Sequence, residues 1–247
     1  MDRPRLIFVE GIMGSGKSTT ARWLARLFRR ADIPARPVPE ARPHPTNVFR
    51  SLPHWKQPWL DLTPEALMTR SYANWQAFVT RALSDPHIFV FDGQLFHGDF
   101  TCLFLMGCAP QVLKQYIHTV LQLAGPLHPI IIYCYQDDVA QAIDRIGAQR
   151  GPGWVESQVA WKVASPYGQQ HGFAGVDGWK QLYQDYRQLT DSYLETLSVP
   201  KLAIETSAAQ WDSYRARICT FLDLPFSPEP VWQRWFYRVY DYLVDIR

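Results

Sequence analysis

The sequence predicts an α/β protein whose parallel sheet is covered by helices on both faces. Three observations lead there. Short apolar runs alternate with amphipathic stretches along most of the chain. The first run passes through a glycine-rich turn straight into a helical pattern. The 247 residues, 47% hydrophobic and 19% charged, are enough for one large core and argue against disorder. The chain is expected to form a single domain over residues 1–247.

The elements follow in order. Leu6-Ile7-Phe8-Val9 ends at Glu10-Gly11 as a buried strand should. From Lys17 to Arg30 the spacing turns helical, with Ala21, Leu24, Leu27 and Phe28 on one face. Arg36-Pro37-Val38-Pro39-Glu40 has strand-like spacing, but its two prolines weaken it. Residues 41–62, with four prolines, Trp55 and Trp59, form a long loop with aromatic anchors. Thr63-Pro64-Glu65 reads as a helix start, and the helix runs to about Ser84. Strands are expected over His87–Phe91, Ile130–Tyr135 and Lys201–Ile204, and helices over 110–123, 137–148, 177–197 and 208–222. Five glycines between 151 and 175 suggest a mobile lid over about 145–176. After Pro225, Pro228 and Pro230, the spacing of Trp232, Trp235, Phe236, Val239, Tyr240, Leu243 and Val244 predicts an amphipathic C-terminal helix over about 230–247. It would pack on the body or form a homodimer contact.

Charge and cysteine usage narrow the setting. Lys+Arg 25 against Asp+Glu 23 gives a net charge of +2, too even for a nucleic-acid partner. The basic cluster Arg26, Arg29 and Arg30 suits the end of a helix. No apolar run is long enough to cross a bilayer, and the first residues lack a secretory apolar stretch. Cys102, Cys108, Cys134 and Cys219 show no CxxC spacing and read as reduced thiols, which places the chain in the cytoplasm. The histidines show no metal-ligand spacing.

Gly11-Ile12-Met13-Gly14-Ser15-Gly16-Lys17-Ser18 matches GxxxxGK[ST], the phosphate-binding P-loop, in its required setting between strand and helix. Its glycines let successive backbone N–H groups face one concavity, and the helix N-terminus adds positive potential there. Gly11, Met13, Gly14, Ser15, Gly16, Lys17, Ser18 and Thr19 are therefore expected to bind ATP. Lys17 would reach the β- and γ-phosphates and Ser18 would ligate Mg²⁺. A switch GTPase would also need Asn-Lys-x-Asp, which the sequence lacks.

Three further features favour phosphoryl transfer. Glu40 ends the expected second strand, where a carboxylate could take a proton from an acceptor hydroxyl; the plain alternative is a solvated loop glutamate. Ile88-Phe89-Val90-Phe91-Asp92 has the form of a Walker B strand, with Asp92 supporting the metal or facing the acceptor; otherwise it is a turn aspartate. Arg145 and Arg150 precede the lid and could neutralise charge on the transferring group, or be exposed helix arginines. His97 and Asp99 would line an acceptor pocket or be structural. The aromatics Phe49, Trp55, Trp59, Tyr72 and Trp75 would stack on a ring or fill the core.

Taken together, the P-loop, Glu40, Asp92 and Gln136-Asp137-Asp138-Val139 resemble the thymidylate-kinase-like and deoxynucleoside-kinase-like P-loop proteins over most of residues 5–222. Only the P-loop is highly specific. The resemblance implies a three-layer P-loop NTPase fold with a five-stranded parallel core and a lid. The chain departs from these relatives after its third core strand: Glu-Arg-Ser or Asp-Arg-Tyr is replaced by Asp92-Gly93-Gln94, so an arginine is missing. A phosphorylated acceptor would want such a clamp, so a neutral acceptor is expected. The sequence thus predicts an ATP- and Mg²⁺-dependent phosphotransferase acting on a nucleoside, sugar or antibiotic-like metabolite. Lys17, Glu40, Asp92, Arg145 and Arg150 are its expected catalytic residues. The rival is a nucleotide-dependent regulatory module acting on a protein partner.

Overall fold

A computed structural model describes residues 3–40 and 44–228. It divides into two compact units, Met1–Ser207 and Ala208–Arg247. Among the described residues of the second unit, α9 (Trp211–Phe221) is regular, with Trp211 edge-on to Tyr214. The C-terminal helix expected over 230–247 lies outside the described residues.

The first unit is built on a five-stranded, all-parallel sheet: β1 (Leu6–Glu10), β2 (Ala35–Val38), β3 (Ile88–Asp92), β4 (Ile130–Tyr135) and β5 (Lys201–Glu205), in the order β2-β3-β1-β4-β5. β1 is buried along its whole length, as a central parallel strand must be. β2 carries Pro37 and is followed by Pro39, and it forms the sheet's edge. Proline has no N–H to donate to a ladder, so the edge, with only one neighbouring strand, is where this strand is tolerated. β3 lies directly beside β1, with Val9 opposite Asp92. The P-loop and Asp92 therefore share one end of the sheet.

The helices are α1 (Lys17–Arg30), α2 (Pro64–Leu83), α3 (Asp99–Leu105), α4 (Pro110–Ala124), α5 (Val139–Arg150), α6 (Pro152–Val163), α7 (Pro166–Gln170) and α8 (Gly175–Thr196). α1 buries Ala21, Trp23, Leu24, Ala25 and Phe28, close to the predicted face. Thr63 caps α2 by accepting from Ala66 N, with Pro64 at its first position. α5 is capped by Asp138, one residue later than the expected start at Asp137. α3 was not foreseen. It occupies the segment after Asp92 and buries Phe100, Cys102, Leu103, Phe104 and Leu105.

The stretch expected as a glycine-rich lid is largely helical. Gly151 leads into α6, and Gly168 lies in α7 so close to the Val163 carbonyl that a Cβ would sit 2.7 Å from it. These glycines serve close packing and helix junctions. The core mixes aliphatic and aromatic side chains, and in it Trp75 and Phe91 touch each other and each touches both Phe8 and Phe78.

Candidate active site

Glu10 closes β1 and Gly11 opens the turn. Gly11 sits at φ +141, and a Cβ there would lie 2.0 Å from the Cys134 carbonyl oxygen, so only glycine lets the P-loop pass β4. Two side chains brace the loop. Gln136 Nε2 donates to the Gly14 carbonyl at 3.1 Å, and Thr206 Oγ1 donates to the Ser15 carbonyl at 2.9 Å. Both come from the carboxyl ends of neighbouring strands, β4 and β5. α5 also packs here, since a Cβ on Gly14 would meet the Ala142 carbonyl at 3.2 Å and Ile146 at 3.4 Å.

Lys17 opens α1 and is buried. Its Nζ lies 3.8 Å from Glu40 Oε2. Burial alone would depress its pKa, but Glu40, Asp92 and Glu10 outweigh that and lift it above the ordinary lysine value. Asp92 faces α1 and accepts a hydrogen bond from the Ser18 hydroxyl, while its Oδ1 is buried without a protein partner among the described residues. Burial raises the Asp92 pKa against the pull of Lys17. Together Ser18 and Asp92 present hard oxygens beside the phosphate loop, a donor set suited to Mg²⁺ shared with phosphates.

Glu40, two residues beyond β2, lies between two cations. Arg50 Nη2 is 3.3 Å from Glu40 Oε1, opposite Lys17. Burial resists ionisation, yet Lys17, His97, Arg50 and Lys162 bring the Glu40 pKa down to about 2. With 33% of its side chain exposed, Glu40 can still be reached from solvent.

Gly93 accounts for the arginine that the sequence lacks. It takes φ +64, and a Cβ would come within 3.0 Å of Lys17 Cε and 3.2 Å of the His97 ring. The lysine stem occupies the space that a side chain at 93 would need. Positive charge enters from elsewhere: Arg50 on the loop after β2, its guanidinium 4.8 Å over the Trp55 ring, and Lys162 on α6, 3.6 Å from the Trp161 ring centroid. Lys162 is only 3% exposed, and burial brings its pKa down to about 8. Sequence reading missed both residues, because neither stands in a motif. It also missed Glu10, which is fully buried and accepts the backbone N–H groups of Gln94 and Leu95, each at 2.7 Å, fixing the segment after Asp92.

The remaining candidates are spread more widely. Met13 and Thr19 lie within the P-loop segment and the start of α1. Arg145 donates to the Ser207 carbonyl at 3.2 Å and to Gln141, on the helix that packs against Gly14. Arg150 is exposed at the end of α5. His97 Nδ1 lies 3.5 Å from Glu10 Oε2. Of the aromatics, Trp75 and Phe49 are core and Tyr72 stacks on Tyr116, whereas Trp55 stands beside Arg50 and meets Trp161 edge-on at 5.4 Å. No helix among the described residues is long and apolar enough to cross a membrane.

The five-stranded parallel sheet and the P-loop between β1 and α1 define the class of fold: an α/β P-loop NTPase fold. One solved structure shares the fold. The chain is similar to thymidylate kinase from Candida albicans at 16% identity and TM-score 0.50, over 88% of this chain and 92% of that one. It also matches deoxyadenosine kinase from M. mycoides with bound dATP at 15% identity and TM-score 0.46, over 86% and 98%. No family model matches the chain, and no curated protein does. At 16% identity the likeness to the thymidylate kinase is one of fold alone.

Proposed function

We propose that the chain is an ATP- and Mg²⁺-dependent phosphotransferase that moves the γ-phosphoryl group to a hydroxyl of a small molecule. The carrying observation is the position of Glu40, within 3.8 Å of the P-loop lysine and ionised in a cationic setting. The P-loop backbone from Gly11 to Thr19 and Lys17 hold the phosphates. Ser18 and Asp92 would hold Mg²⁺, which supplies charge neutralisation at the phosphates. Glu40 takes the proton of the acceptor hydroxyl. As Lys17 turns from Glu40 to the phosphates, the carboxylate loses one of its two paired cations and becomes a stronger base. Arg145, next to the Ile146 that packs on Gly14, and Arg150 at the end of the same helix would neutralise charge on the transferring group.

A base in this position favours a neutral hydroxyl acceptor, such as a nucleoside, a sugar or an antibiotic-like metabolite. The oxygen of a phosphorylated acceptor is already ionised, and Glu40 would repel it. Because Arg50 and Lys162 bring cations to the same place, nucleoside monophosphates belong in the assay as the contrasting class. The test is MgATP turnover with each class, in wild type and Glu40→Gln. Loss of acceptor-dependent turnover in Glu40→Gln supports the proposal. ATP hydrolysis indifferent to every acceptor supports the regulatory-module alternative.

A further inference from the structure

Asp99, the first residue of α3, is fully buried, and no described cation lies within ion-pair distance of it. Such a carboxylate is costly, because nothing nearby replaces its hydration with opposite charge. A leucine of similar size would be cheaper among Phe100, Cys102 and Trp75. What Asp99 does have is donors. The backbone N–H groups of Val48 and Phe49 both reach its Oδ1 at 3.0 Å, and Val48 N is also 3.0 Å from Oδ2. The Ser71 hydroxyl, 2.8 Å from the Tyr116 hydroxyl, bonds to it as well.

These donors belong to a segment with little regular structure. Between β2 and α2, residues 44–52 contain only the single 3₁₀ turn Phe49–Ser51. Local side chains shape part of it: His44 Nδ1 accepts from Thr46 N and Asn47 N, and Asn47 Oδ1 accepts from Arg50 N. Val48 and Phe49 are held instead by Asp99, some fifty residues on in the sequence. The next residue is Arg50, whose guanidinium lies against Glu40 and over Trp55.

We propose that Asp99 is a positioning residue: by taking the Val48 and Phe49 N–H groups it fixes the turn that holds Arg50 against Glu40. It touches neither phosphate loop nor acceptor, and it acts through Arg50. Its consequence for turnover rests on the phosphotransfer reading; the clamp itself does not. A buried carboxylate that costs stability is understandable where an apolar residue would leave two backbone donors orphaned and Arg50 unfixed.

The test uses full-length protein. Asp99→Leu removes the acceptor oxygens and keeps the volume, whereas Asp99→Asn keeps one oxygen able to take both N–H groups. Amide hydrogen exchange of Val48 and Phe49 is expected to quicken about tenfold or more in Asp99→Leu and to stay within about threefold of wild type in Asp99→Asn. Asp99→Ala, which also lacks an acceptor oxygen, serves with the same expectation as Asp99→Leu should the latter not fold. With thymidine, deoxyadenosine and thymidine monophosphate as the acceptors offered, Asp99→Leu should raise acceptor KM about tenfold with fluorescent-ATP affinity within about threefold. In an Arg50→Ala background the same change should add nothing further. Unchanged exchange at Val48 and Phe49, or an equal loss of turnover with and without Arg50, overturns the proposal. Quickened exchange alongside ATP turnover that no acceptor changes leaves the clamp standing and removes the phosphotransfer reading instead.

Discussion

Glu40 and an incoming triphosphate compete for Lys17. In the free protein they sit 3.8 Å apart, each shifting the other toward its charged form. Triphosphate must draw Lys17 away, so Glu40→Gln should bind nucleotide a few-fold tighter while losing about 10²-fold in acceptor-dependent turnover, the usual size of a general-base contribution. Titrating a fluorescent ATP analogue and assaying the same preparation checks both. Lys17→Ala should lose about 10²-fold or more with its thermal unfolding little changed, because the side chain serves the ligand. Asp92→Asn, which leaves Ser18 without its ionised partner, should instead raise the Mg²⁺ needed for half-maximal rate; a Mg²⁺ titration at saturating ATP separates it from Glu40→Gln.

Among the elements, the turn after β3 and the start of α5 bear on the site most. Gly93→Ala places a Cβ against Lys17 in a left-handed backbone, and should cost about 1 kcal/mol of stability together with nucleotide affinity. Chemical denaturation and ligand titration measure the two. Removing the α5 cap with Asp138→Ala should cost about 1 kcal/mol and loosen the helix that packs on Gly14. Much of this level was legible in the sequence. The P-loop stood in its strand-to-helix setting, Thr63-Pro64 marked a helix start, and Asp92 ended an apolar strand. Even the proline-bearing β2 kept strand spacing, and the edge position explains why its prolines are tolerated. Helices α6 and α7 were less legible, because glycine at 151 and 168 serves helix junctions and close packing as well as loops. Arg50, Lys162 and Asp99 were hidden for a plainer reason. Their importance comes from burial and from neighbours far away in sequence, which spacing along the chain does not express.

At the scale of the whole molecule, buried ionisable groups set how stability follows pH. Burial moves the Lys162 pKa down to about 8 from an unfolded value near 10.5. The unfolded chain therefore holds a proton between about pH 8 and 10.5 that the folded one has lost, so Lys162 adds stability as pH rises through that window. Asp99 behaves oppositely. Its folded pKa of about 6 lies above the unfolded 3.8, so its contribution falls as pH rises from about 4 to 6. Lys162→Met should remove the alkaline gain and Asp99→Asn the acidic loss, as read from denaturant midpoints across pH. The same electrostatics assemble two cations, an ionised carboxylate and a phosphate loop at one end of the sheet, the groups the proposed phosphoryl transfer uses. The most direct measurement follows the γ-phosphate of labelled ATP with nucleosides, sugars, hydroxylated antibiotics and nucleoside monophosphates offered in turn. The account predicts label on the hydroxyl of a neutral acceptor, ATP turnover raised about tenfold or more by it, and loss of both in Glu40→Gln. Label released only as inorganic phosphate, at one rate whatever acceptor is present, would contradict it.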